Sequence, residues 1–400
     1  MQPRLDRGLV AVVIALASTS SAAFTQLTPF EMEVNAWTHA VRQHQPGSLD
    51  DHATRVGAMP WLTLGPILEQ TRRKGDPELQ LLAASMLLDV AVHIPLEQRP
   101  QKRDLGLAML TEDGERRGTV ALDPHIWVAR QLVDAAVANA GRPHYTEMRP
   151  RAIAWYRTVT AVLASGNNLA DLEPHIRQSL RKFPDDAGVV FDAGTYAESF
   201  AAPMVQAAMF RREDSSRRTK PIESLRAGAI LRQALLADAE KHYRRALDLD
   251  PAHTEAVVRL GRVLTMRGRS DAAVIELHRA VLMPASSVVR YFAFLFLGNA
   301  LERANDPSGA AGAFREAATL FPDAQSPQLA LSRLAAERGE SRESHDTIER
   351  LLSRRTHADG SDPWWFYHRG RGRDVESIYR EFVMNMRQMS VSSRAAERQP

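Results

Sequence analysis

The sequence predicts an all-α fold: an α-α superhelical solenoid of paired helices, with a helical N-terminal region and a C-terminal capping segment. Two observations carry this. In the second half of the chain, a Leu-Gly pair, an alanine, a large apolar residue and a second alanine recur in phase. A fixed period of a few tens of residues is the signature of stacked repeats. Elsewhere 79–92 (LQLLAASMLLDVAV) is strongly apolar and 125–140 (HIWVARQLVDAAVANA) is amphipathic at helical spacing. Of the 400 residues, 44% are hydrophobic and 25% charged, a globular balance with enough apolar material for a long core.

Residues 1–22 read as a secretory signal peptide. Arg4 and Arg7 precede the apolar run GLVAVVIALA (8–17), and the small residues STSSAA follow. Cleavage after Ala22 or Ala23 would place small residues where the peptidase reads. The other reading is an uncleaved anchor, but ten apolar residues fall well short of the roughly 20 a spanning helix needs. With no cysteine in the chain, a lipid-anchored export signal is closed. The expected location is periplasmic or secreted, with no stable membrane insertion after cleavage.

Residues 23–150 read as a helical N-terminal region, either degenerate repeats or a cap. Residues 79–92 are apolar all round, as in a buried helix. Asp123-Pro124 makes a cap and first-turn pair ahead of the 125–140 helix. The segment 111–119 (TEDGERRGT) between them is a polar loop.

Residues 151–236 carry weaker repeats. The stretch 153–186 runs from an aromatic start through a Gly-Asn-Asn turn to Phe183-Pro184. Val190, Gly194 and Ala197 mark a further first helix whose partner is displaced, because MFRREDSSRRTK intervenes. Within that insertion, 211–220 is a charged loop ending at Pro221. A basic docking patch is its functional reading and a solvated loop its plain one.

Residues 237–358 form the clear array. Leu260, Gly261, Ala273, Leu277 and Ala280 are followed by Leu297, Gly298, Ala310, Phe314, Ala317 and Pro322. Leu331, Ser332, Ala335, Ser344 and Ile348 come next. Leu260 to Leu297 is 37 residues and Leu297 to Leu331 is 34. Ala239, Tyr243, Ala246 and Pro251 supply one more second helix at matching spacing. Small residues at Gly261, Gly298, Ala273 and Ala310 let the paired helices approach, Leu277 and Phe314 fill the space between them, and Pro322 ends a helix.

This pattern resembles the tetratricopeptide repeat family. The resemblance implies antiparallel helix pairs stacked into a curved solenoid, with the first helix of each pair on the concave face. It places Arg259, Arg262, Met266, Phe292, Leu295, Phe296, Asn299, Arg303, Leu329 and Arg333 along a partner-binding groove. The arginines suit carboxylates or carbonyls, and Phe292, Leu295 and Phe296 make an apolar anchor. Asn299 matches a clamp asparagine that some family members use on peptide C-termini, though the clamp lysines are missing. An equal alternative is that FAFLF (292–296) is buried under the tail or the N-terminal region.

Residues 359–400 change character. Asp362-Pro363 leads into Trp364, Trp365, Phe366 and Tyr367, followed by RGRGRD and a helix at 375–386. Solenoid ends need shielding, so this aromatic block is expected to cap the last repeat. An aromatic ligand or RNA surface is the sharper alternative.

The chemistry-bearing motifs are missing. The 13 histidines are scattered, with no i, i+4 pair and no His-Glu-x-x-His, so no metal or other cofactor is expected. His39 and His44 lie five apart, on different helix faces. There is no Gly-x-Ser-x-Gly turn and no phosphate-binding Gly-rich loop. Ser179-x-x-Lys182 lacks its Lys-Thr-Gly partner. Asp50-Asp51 and Asp185-Asp186 sit in turn-like contexts. The formal net charge is +3, without the clustered excess of a nucleic-acid binder. The expected function is an exported scaffold or adaptor that holds a protein or peptide, without catalysis. The rival is an enzyme with its site in residues 24–150 and the array as substrate platform.

Overall fold

A computed structural model describes residues 29–43, 46–94, 123–138, 145–165, 169–202, 221–353, 362–364, 367 and 382. The signal peptide, the loops 111–119 and 211–220, and all of the 375–386 helix but Phe382 lie outside the described residues. Those described form fifteen helices and no strand. No helix among them is long and apolar enough to cross a membrane.

The first five helices are α1 (Pro29–Gln43), α2 (Pro46–Gly57), α3 (Trp61–Lys74), α4 (Pro77–His93) and α5 (Pro124–Ala136). Helix α4 is buried continuously from Gln80 to Val90, as its lack of a polar face requires. Asp76 caps it by accepting from the Glu78 and Leu79 amides, and Asp123 caps α5 through His125, satisfying amides a helix start leaves open. Buried Asp89 accepts from Trp37 Nε1 at 2.8 Å and pairs with His93. Buried Glu31 pairs with Lys74.

Helices α6 (Tyr145–Ser165) and α7 (Leu169–Lys182) follow. Helix α6 runs through position 150, where the sequence reading set a boundary. Ser179 donates to the His175 carbonyl at 2.8 Å. His175 itself is fully buried. Its Nε2–H donates to the Tyr156 carbonyl at 2.9 Å, its ring stacks on Tyr156, and Nδ1 has no hydrogen-bond partner. Burial, with Arg130 nearby, pushes its pKa down to about 3.

An unfolded chain takes up that proton near pH ~6.5, whereas the native ring stays neutral. The stability tied to neutral His175 is therefore present above pH ~6.5 and lost as pH falls toward 3, by up to ~1.4 kcal/mol per pH unit. Urea titrations between pH 7 and 4 should show a shallower acid decline for His175→Leu than for wild type. Identical slopes would exclude His175 as the source.

The array comprises α8 (Ala187–Phe200), α9 (Pro221–Leu249), α10 (Thr254–Met266), α11 (Ser270–Leu282), α12 (Ser287–Arg303), α13 (Pro307–Leu320), α14 (Gln325–Glu337) and α15 (Ser341–Ser353). They pair in order. Helix α9 spans position 236, so the two segments read as separate half-repeats are one pair: α8 supplies Gly194 and α9 supplies Tyr243. An added Cβ on Gly194, Gly261 or Gly298 would lie 2.6, 2.4 and 2.4 Å from Tyr243, Leu277 and Phe314 respectively. The same close approach therefore recurs in three successive pairs. In the last pair, Ser332 and Ser344 meet through a 2.9 Å hydrogen bond instead. The turns inside the last three pairs each carry a left-handed residue, Gly268, Asn305 and Gly339 at φ 76°, 62° and 80°.

Two apolar cores result. One gathers α1 to α8 and includes Phe382; the other gathers α8 to α14 and includes Tyr367. Helix α8 joins them, with Val189 in the first and Val190 in the second.

Candidate functional site

The inner face of the array is built by the first helices α8, α10, α12 and α14. Of the expected groove residues, Arg259, Phe292, Leu295 and Phe296 are buried, and Arg262, Met266 and Asn299 are half-buried. Arg303, Leu329 and Arg333 are exposed. Arg333 is engaged by Glu302 and Glu337.

The centre of this face is filled by the chain's own tail. Tyr367 packs edge-on against Phe292 and Phe296, with ring centroids 5.0 and 5.1 Å apart. Trp364 packs edge-on against Phe296 and stacks on Tyr367. Of the two sequence readings of FAFLF, the covered one describes the structure. The aromatic block also differs from an end cap. Its described members Trp364 and Tyr367 lie along the middle of the array, where α12 offers Phe292 and Phe296 and α10 offers cations for their ring faces. Trp365 and Phe366 lie outside the described residues.

Beneath the rings sits a buried charge network. Glu198, on α8, is 2% exposed and accepts from Tyr243 Oη at 2.6 Å and Tyr367 Oη at 2.8 Å. It also accepts from Arg259 at 3.3 Å and from Arg262. Arg259 reaches Glu255 at 2.9 Å and donates to the Tyr367 carbonyl at 3.1 Å. Its guanidinium lies 4.2 Å from the Tyr367 ring centroid, and that of Arg262 lies 4.4 and 4.9 Å from Tyr367 and Trp364. Such cation–π contacts strengthen when desolvated.

Burial alone would weaken the charge of Arg259. The surrounding Tyr367, Glu255, Tyr243 and Glu198 oxygens outweigh that and hold its pKa well above the ordinary value. Burial, followed by the Glu198 charge, pushes the Tyr243 hydroxyl up, so it stays a donor.

A third contact anchors the segment's start. Asp362 is buried and accepts from Tyr291 Oη at 2.7 Å, and from the amide and hydroxyl of Ser326 at 2.9 and 2.7 Å. Ser326 opens α14, whose cap position, Ala324, offers no side-chain acceptor. Asp362 thus supplies from a distance the carboxylate that a helix start favours.

Glu198, Tyr243, Glu255, Asp362, Trp364 and Tyr367 complete a site of which the sequence reading marked only the arginine and phenylalanine half. The four-aromatic block was a visible signal for Trp364 and Tyr367. Glu198 had none, since the insertion after α8 hides its phase relative to α10.

This array matches known sequence patterns over part of its length. Residues 231–292 match the family model described as tetratricopeptide repeat. No curated protein matches the chain. Among solved structures, pilF of Pseudomonas aeruginosa is similar at TM-score 0.40 and 14% identity, over 60% of this chain and 93% of that one. MamA from Desulfovibrio magneticus RS-1 is similar at 0.36 and 14%, over 52% and 97%. The Cut9–Hcn1 hetero-tetramer of the APC/C is similar at 0.36 and 10%, over 92% and 65%. Nothing about function follows from likeness at this level.

Proposed function

We propose that this tetratricopeptide-repeat protein is an exported scaffold or adaptor that holds a protein or peptide partner in the cell envelope. The repeats make it a protein-interaction scaffold. The observation that carries the binding mode is the inner face itself. There α8, α10, α12 and α14 grip a segment outside their own helix pairs through ring faces, two arginines and one main-chain carbonyl. The export part rests on the basic, apolar and small-residue order of residues 1–23.

Fractionation of cells making the tagged chain tests the export part. The mature protein should leave the cytoplasmic fraction and begin at Ala23 or Phe24 by mass spectrometry. An unprocessed cytoplasmic chain would sink it. Affinity capture from envelope extract tests the binding part. Arg303→Glu/Arg333→Glu alters the exposed end of the inner face and should cut the retained partner several-fold. An unchanged set of retained proteins would remove this face as the contact. Arg259 and Arg262 are unsuited to that test, because both lie inside the folded network.

A further inference from the structure

We infer that the inner face is a peptide site whose specificity is written in the chain's own tail: an acidic residue, an aromatic two positions on and a tyrosine five positions on, held outside a helix pair. The inference rests on the scaffold reading above and names the chemistry of its partner. The tail is the resident occupant, and the partner segment enters by displacing it.

Three contacts define the pattern. The carboxylate of Asp362 sits on the uncapped start of α14, taking both the amide and the hydroxyl of Ser326. Two residues on, Trp364 turns its face to Arg262 and its edge to Phe296. Five residues on, Tyr367 covers both arginines, donates to Glu198, and offers its carbonyl to Arg259. Every group the tail contributes is one a peptide in trans also carries. The segment crosses α14, α12, α10 and α8 against the order of the repeats, and Phe382 beyond it is buried in the N-terminal core.

A resident tail lowers the apparent affinity for a competitor by the fraction of molecules in which the face is open. Covalent linkage makes docking of the tail intramolecular, which raises its effective concentration over that of a free peptide. Only eight residues separate Ser353 from Asp362. An isolated peptide should therefore bind wild type weakly and a tail-released variant well.

The probe is a fluorescein-labelled peptide of residues 361–368, Ser-Asp-Pro-Trp-Trp-Phe-Tyr-His, followed by anisotropy against the full chain. The expected result is at least tenfold tighter binding to Trp364→Ala/Tyr367→Ala than to wild type. Replacing the peptide's own aspartate by asparagine, or its tyrosine by alanine, should weaken that binding several-fold. Circular dichroism checks that the variant stays folded. If it does not, Asp362→Asn removes only the carboxylate charge and should still tighten peptide binding several-fold.

Absence of saturable binding to a folded variant would overturn the inference and leave the tail a permanent part of the core. Equal affinity for wild type and variant would overturn it too, since the peptide would then bind elsewhere. Light scattering covers a further outcome. A wild-type dimer that the tail substitutions dissociate would place the tail in a second copy, against the resident arrangement. Failure here with continued partner loss in Arg303→Glu/Arg333→Glu would leave the scaffold reading standing.

Discussion

Phe314→Ala is expected to destabilise the α12–α13 pair by about 3–5 kcal/mol, the usual cost of removing a buried aromatic. Phe314 is fully buried, and its ring lies where a Cβ on Gly298 would be, 2.4 Å from Cε1. The ring fills the gap that the missing side chain opens. The reverse change should also hurt: Gly298→Ala drives a methyl into a rigid ring, costing about 1–3 kcal/mol. Stacked repeats can open locally, so a single global melt would blur the effect. Hydrogen exchange is the better measurement. Protection should drop in α12 and α13 first, and least in α4, which belongs to the other core. Protection lost evenly along the chain, or by less than about 1 kcal/mol, would contradict this account of the pair.

Glu198→Ala should rank with it, at about 3–5 kcal/mol, because removing one partner of a buried ion pair strands the other. Arg259 and Arg262 would share no carboxylate at the centre of the face, and the Tyr243 and Tyr367 hydroxyls would lose their acceptor. Glu255 would be the one carboxylate left on Arg259, beside the Tyr367 carbonyl. The order of effects is diagnostic. Arg262→Ala should cost clearly less than Glu198→Ala, since Arg262 is partly solvated and Glu198 keeps Arg259 after its loss. Urea denaturation followed by circular dichroism gives both values. A smaller loss for Glu198→Ala than for Arg262→Ala would mean the carboxylate is not the hub of the network.

Hydrophobic phase made much of the fold legible. The 37- and 34-residue steps between Leu-Gly positions reappear in the left-handed turn residues Gly268, Asn305 and Gly339. The caps at Asp123 and the buried character of α4 were equally visible, because both depend on residues within one helix. The pairing of α8 with α9 was not. Residues 203–220 part Gly194 from Tyr243, and periodicity carries no information across an insertion of arbitrary length. For the site, the arginines and phenylalanines of α10 and α12 could be placed on the inner face by repeat position alone. Whether that face is open could not.

The sequence by itself determined the three helix pairs from α10 to α15, their phase and the side chains they turn inward, since these follow from spacing along continuous helices. Only the tertiary structure decided that Glu198, 61 residues before Arg259, and Tyr367, 108 residues after it, meet that arginine. Those contacts depend on how four stacked pairs curve. They also depend on a competition the sequence cannot show: a partner, the N-terminal region and the tail could each cover Phe292 and Phe296. In this fold the tail does so, bringing a phenol to Glu198, ring faces to the Arg259 and Arg262 guanidinium groups and a carboxylate to the start of α14.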